Sequence, residues 1–136
     1  MILLDSNVVI DLLGATGTYH EWARRAVRNQ RGQQLCVNSV IASEIAVRMT
    51  GFEQLQACLA AFDLKWADLS LAASWRAAQA HAQYLRNNGR QRVVLPDLLI
   101  GAHAAVEGAR VLTRDPRRFR TYFPELDLIT PETDND

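Results

Sequence analysis

Lysine is almost missing from this chain: Lys65 is the only one among 15 basic residues, and 15 acidic residues bring the formal net charge to zero. That balance argues against a protein that grips nucleic acid by bulk charge. Even so, Arg114, Arg117, Arg118 and Arg120 crowd into one short stretch and leave room for a local basic rim. Cysteine is scarce too. Cys36 and Cys58 have no CxxC spacing and are too few for a disulfide framework, so they read as reduced, buried thiols. No apolar run approaches the roughly 18 to 20 residues that a membrane span requires. The opening MILLDSNVVIDLLG lacks a basic leader and is interrupted by Asp5 and Asp11; it reads as strand and helix, and a cytoplasmic protein is expected. The patterns GxxxxGKS/T, GxGxxG and GxSxG are all absent, which removes nucleotide-loop and serine-hydrolase chemistry.

The composition that remains is that of a globular domain, with 49% hydrophobic and 22% charged residues in 136. One domain over 1–136 is expected, its acidic tail from Pro131 frayed. Residues 2–5 read as a strand that runs into helix-start chemistry, and 6–14 as a first helix. Tyr19, Trp22, Ala23, Ala26 and Val27 form the apolar stripe of a second helix. Leu35–Val37 reads as a strand, 40–50 as a helix capped by Asn38 or Ser39 and ended by Gly51, 52–62 as another helix, and 64–67 as a third strand. Leu71, Trp75, Ala78, Ala82 and Leu85 have the spacing of a long helix with one buried seam, closing at Asn87, Asn88 and Gly89. After a connector over 90–96, Pro96 and Asp97 open a helix that Gly108 ends. Arg110–Thr113 is a fourth strand, Asp115-Pro116 suits the start of a short helix, and Leu126–Thr130 is a fifth strand.

Strands separated by helices imply a parallel sheet covered on both faces, and such sheets bind ligands at the carboxyl ends of their strands. Asp5 and Asp115 each end a strand. Glu44 and Asp97 lie in early turns of helices whose N-termini share that edge. All four acids can therefore converge, provided that the connector brings the chain back, and eight extended residues reach about 26 Å.

Taken singly, each acid has a structural alternative: Asp115 as an N-cap, Asp97 as a charge favoured by the positive helix end, Asp5 as the residue before a helix. Glu44 is harder to explain so, because Ile41, Ile45 and Ala46 surround it. Converging carboxylates repel one another unless a cation is present, and oxygen ligands without His or Cys select Mg²⁺ or Mn²⁺. Gly101, one turn after Asp97, either leaves room for metal and substrate or allows close helix packing. His103 and Asp11 each stand six positions from an acid of the set and point elsewhere; Asp68 is remote if the third strand is marginal.

The chain resembles a PIN-domain ribonuclease of the VapC toxin type, from a type II toxin–antitoxin pair. The matching segments are ILLDSNVVID, the SEI of SVIASEIAV, LPDLLIGAHA and VLTRDPRRF, which together span residues 1–119 in order. The resemblance implies a PIN-like α/β three-layer sandwich, its five-stranded parallel sheet ordered third-second-first-fourth-fifth. It assigns metal binding and catalysis to Asp5, Glu44, Asp97 and Asp115, with Mg²⁺ or Mn²⁺ as cofactor. Ser6, in place of the family's more frequent threonine, keeps the hydroxyl; Asn7 and Thr113 match, and Arg114, Arg117 and Arg118 would hold flanking phosphates or form a solvated helix face. The implied activity is hydrolytic endoribonuclease cleavage leaving 5′-phosphate and 3′-hydroxyl ends. The implied partners are an RNA substrate, a VapB-type antitoxin that wraps the toxin, and a second copy of the chain. Other readings stay open: a non-toxin PIN nuclease, one that cuts DNA, or an inert interaction domain. A phospho-receiver module fits poorly, because the first strand ends in DSN and the only lysine is Lys65.

Overall fold

The computed structural model describes residues 1–87 and 94–132. The element order is β1 (Ile2–Leu4), α1 (Ser6–Leu13), α2 (Thr18–Asn29), β2 (Leu35–Val37), α3 (Ser39–Ala46), α4 (Phe52–Ala61), β3 (Lys65–Trp66), α5 (Leu71–Arg86), α6 (Leu95–Glu107), β4 (Arg110–Leu112), α7 (Arg117–Tyr122) and β5 (Leu128–Ile129). Most of the expected connector, Asn88 and Gly89 of the expected helix end, and the last four residues of the expected tail lie outside the described residues.

All five strands are parallel and ordered β3-β2-β1-β4-β5, the expected arrangement. The central strands β1 and β2 are buried throughout, which requires cover on both faces, whereas the edge strand β3 is exposed. The chain leaves β1 in one direction through β2 and β3, and the sheet continues on β1's other side with β4 and β5. The strand order therefore reverses between β1 and β4, where Leu4 stands opposite Leu112, and a crevice opens at such a reversal.

Local chemistry sets the helix ends. Asp5, Asn38 and Ser70 cap α1, α3 and α5 by accepting from the backbone N–H groups of Ser6, Ile41 and Ala73 at 2.8, 2.9 and 3.1 Å. Gly108 ends α6 at φ +65°, a left-handed turn, and Ala109 N–H bonds back to Ala104 O at 2.8 Å.

The seam expected on α5 is corrected. Leu71, Trp75, Ala78, Ala82 and Leu85 face outward, with Leu71 88% and Trp75 69% exposed, and the buried stripe is Ala73, Ala77, Ala80 and Tyr84. Both stripes are apolar at helical spacing. The partner decides between them: α5 packs on α6, and the small side chains of Ala73, Ala77 and Ala80 let it approach more closely than Leu71 and Trp75 could. Gly101 serves a different contact of α6, since a Cβ there would run into the ring of Phe123 at the end of α7. It serves helix packing and opens no space for metal.

Candidate active site

Asp5 leaves the end of β1 and enters the cap of α1, only 5% exposed. Its Oδ1 accepts from Ser6 N–H; its Oδ2 accepts from Thr113 Oγ1 at 2.7 Å and from Asn7 Nδ2 at 3.3 Å. Thr113 follows β4, so this bond ties β1 and β4 together at their carboxyl ends. Asn7 reinforces the tie, its Oδ1 accepting from Arg114 N–H at 3.2 Å. Burial raises the Asp5 pKa to about 7; the charges of Asp97 and Glu44 add to the rise, and the Thr113 and Ser6 bonds oppose it.

Glu44 comes from α3. Burial raises its pKa as well, the Ser6 hydroxyl bond lowers it, and the Asp97 charge raises it. Its Oε1 is buried without a hydrogen-bond partner. Asp97 lies in the first turn of α6 and pairs with Arg118 of α7, Nη1 to Oδ2 at 2.9 Å. Thus β1, α3 and α6 deliver three carboxylates that feel one another's charge.

Asp115 stands apart. It forms a two-pronged ion pair with Arg117 at 3.0 and 3.2 Å, which holds its carboxyl below the usual range. The expected cap by its side chain is absent: α7 starts after Pro116 with no side-chain cap bond. Asp5, Ser6, Asn7, Asp97, Asp115, Arg117, Arg118 and Phe119 line one crevice of about 400 Å³. Glu44 is not part of that lining but bonds the side chain of Ser6, which is.

Arg114 is drawn elsewhere. Its guanidinium grips Asp11 at 2.8 and 3.2 Å and stacks on Tyr19, 4.6 Å from the ring centroid, so it clamps β4's exit to α1 and α2. The sequence pointed to both partners separately, Asp11 as a weak site candidate and Tyr19 as part of a stripe, without the pairing. His103 is fully buried. Asn38 Nδ2 donates to its Nδ1 at 2.9 Å, because Asn38 Oδ1 is already taken by Ile41 N–H. Burial lowers the His103 pKa. The pair links the helix that carries Asp97 to the cap of the helix that carries Glu44. Asp68 accepts from Trp66 Nε1 at 2.9 Å and does not line the crevice.

The donor set suits a hard divalent cation. Its atoms are carboxylate oxygens, Asp5 is desolvated with no ion-pair partner among the described residues, and Glu44 Oε1 is an orphaned acceptor. Among the described residues, no three His, Cys, Asp or Glu side chains close into a metal-holding group as they stand. Asp97 and Asp115 are instead turned to Arg118 and Arg117.

Comparison with known proteins agrees with this architecture. Among solved structures, the chain is similar to a toxin–antitoxin complex from Klebsiella pneumoniae, at 22% identity and TM-score 0.72, covering 96% of this chain and 98% of that one. It is similar to FitAcB from Neisseria gonorrhoeae, at 18% identity and TM-score 0.73, covering 97% and 99%. It is also similar to the sarcin-ricin loop cleaving toxin VapC20 of Mycobacterium tuberculosis, at 16% identity and TM-score 0.58, covering 81% and 85%. At these identities the likeness is one of fold. No curated protein matches the chain at a significant level. The profile of the PIN domain matches residues 2–124, the span that contains every residue lining the crevice, from Asp5 to Phe119. With the sheet order and the acids at the strand reversal, that match settles the family: the chain belongs to the PIN-domain family.

Proposed function

We propose that this protein is a Mg²⁺- or Mn²⁺-dependent endoribonuclease, the toxin of a type II toxin–antitoxin pair. One observation carries the nuclease reading: Asp5 and Glu44, both desolvated, and Asp97, from three separate elements, act on one another's charge near the strand reversal, and among the described residues only Asp97 has a cation in contact. Asp5, Glu44 and Asp97 would hold the ion, with Asp115 at the rim. When bound, the ion supplies Lewis acidity that activates water and offsets charge on the phosphoryl oxygens. Thr113 and Ser6 donate to Asp5 and so hold its carboxylate in one orientation. The Ser6 hydroxyl also steadies Glu44. Arg117, at the open edge of the crevice, is placed to meet a flanking phosphate.

The partner reading has its own support. An apolar groove of about 590 Å³ runs beside α1 and α4, lined by Ile10, Leu13, Met49, Cys58, Ala61 and Phe62 among others. Apolar relief of that kind suits a peptide segment. A VapB-type antitoxin laid along it would reach the crevice at the other end of α1, where an Arg or Lys would pair with the acids. The similar solved structure from Klebsiella pneumoniae is a toxin–antitoxin complex, which supports an antitoxin as the partner. The outward stripe Leu71, Trp75 and Leu85 on α5 is the surface we assign to the second copy of a homodimer. Among the described residues, no helix is long and apolar enough to cross a membrane.

The decisive experiment expresses the chain briefly in cells and sequences the ends of cleaved RNAs, with and without the small open reading frame beside it. Ends bearing 5′-phosphate and 3′-hydroxyl, lost when the neighbour is co-expressed and co-purified, are expected. Mainly 2′,3′-cyclic phosphate ends would refute hydrolysis by water. Failure of the two proteins to associate would refute the toxin reading alone.

A further inference from the structure

The crevice already contains positive charge of its own. Arg117 and Arg118 open α7, and the buried Phe119 that follows anchors that helix in the core. The two arginines are not equivalent. Arg117 is 87% exposed and pairs with Asp115 only two residues away; water screens such a contact. Arg118 is 31% exposed and reaches across from α7 to Asp97 on α6, joining residues 21 apart in sequence. Asp97 offers its Oδ2 to that guanidinium and is the only one of the three charge-coupled acids with a cation in contact among the described residues. The carboxylate that a divalent ion would need is therefore already paired with a cation.

We propose that Arg118 is a resident counter-ion that exchanges roles on metal binding: it neutralises Asp97 in the metal-free protein, and the divalent ion displaces it toward the phosphate of the substrate. This rests on the metal-dependent reading of the crevice. Two consequences follow from charge alone. Metal uptake must break the Arg118–Asp97 pair, so the arginine lowers the affinity for metal. The released guanidinium, still tethered to α7 at the crevice wall, is then free to form a charge-assisted bond with a phosphate oxygen. Metal and RNA thereby strengthen each other's binding, and the metal-free protein is kept from holding substrate it cannot cut.

The test is calorimetric titration of Mn²⁺ into the purified protein without RNA, comparing wild type with Arg118→Met, Arg118→Lys and Arg117→Met. Arg118→Met is expected to bind Mn²⁺ roughly fivefold more tightly, the fold-change set by loss of a partly exposed ion pair. Arg118→Lys should stay near wild type and Arg117→Met should change less than about twofold. Crystals of wild type soaked in Mn²⁺ provide a readout independent of any variant's folding: Arg118 should have left hydrogen-bond distance of Asp97. If wild type binds Mn²⁺ while Arg118→Met binds equally or less tightly, or if the soaked crystal keeps the pair, the counter-ion role is overturned and the metal reading survives. If wild type binds no Mn²⁺, both fall together.

Discussion

At its N-terminal end, α1 contributes Ser6 and Asn7, after Asp5, to a polar crevice of about 400 Å³; within two turns, its Ile10 and Leu13 line an apolar groove of about 590 Å³. The larger hollow is the less reactive one. The groove has relief and apolar surface, which recognise a protein segment. The crevice has a desolvated carboxylate, Asp5, that the charges of Asp97 and Glu44 repel, which suits a cation and a phosphodiester. Volume alone would have chosen the wrong place for chemistry, and one short helix joins the two, so a single partner can cover both.

The sharpest way to separate the regions is to disable one and keep the other. Asp5→Asn or Asp97→Asn should lower RNA cleavage by at least about a thousandfold, on the order of 4 kcal/mol of lost transition-state stabilisation. Circular dichroism should remain that of the wild type and antitoxin binding should persist. Full activity in either metal-saturated variant would remove the crevice from the mechanism.

The next effect is a pH dependence of the metal-free protein. Because the Asp5 pKa rises from 3.8 to about 7 on folding, the folded state keeps a proton that the unfolded chain has lost between those values. Stability from this group is thus present at low pH and lost as pH rises through about 7. Over that window the loss is on the order of 3 kcal/mol. Thermal melts in EDTA should show wild type losing more stability than Asp5→Asn between pH 5 and pH 8. Taking the difference between the two proteins cancels His103, whose lowered pKa tilts stability the opposite way as pH falls below the ordinary histidine value. Parallel pH profiles would show that Asp5 ionises freely.

Metal should then restore what deprotonation removes. A cation that binds only the folded state adds roughly 2.7 kcal/mol at a hundred times its dissociation constant. Melting temperatures across a Mg²⁺ or Mn²⁺ series should rise accordingly, and EDTA should stop turnover. A flat series with EDTA-resistant cleavage would contradict the model of the site.

The groove is expected to respond least. Leu13→Glu replaces an exposed apolar side chain, so the fold and the free enzyme's cleavage should be unchanged. Affinity for the antitoxin should drop by about 1.5 to 2 kcal/mol, roughly tenfold to thirtyfold, measurable by competition binding. A loss of cleavage without partner would break the separation between groove and crevice.

Much of this was legible in the chain itself. ILLDSN announces a buried strand and a capped helix because apolar continuity and the Asp-Ser-Asn cap are local chemistry, and Gly108 announces a helix end because only a left-handed turn closes α6 there. The α5 seam was legible as apolar but not as to side, since Leu71 and Trp75 on one stripe and Ala73 and Ala77 on another satisfy the same period. Arg114 read as a phosphate ligand from its neighbours in sequence; in space Asp11 and Tyr19 hold it, more than ninety positions away. The short helix expected from Asp115-Pro116 is present as α7, but Asp115 does not cap it: Arg117 takes the carboxylate, a charge-assisted two-pronged pair prevailing over a single cap bond.

The sequence by itself determined the alternation of strands and helices, the four acids beside apolar runs, and the absence of a GxSxG nucleophile or phosphate-loop pattern, because periodicity, capping and residue chemistry act over a few residues. Only the tertiary structure decided which acids feel one another, which arginines neutralise them, and which apolar stripe of α5 stays in water. Those outcomes depend on which surfaces meet across the strand reversal. Burial and pairing there shift charges by interactions between residues that the chain keeps about a hundred positions apart, as in Asp5 with Thr113.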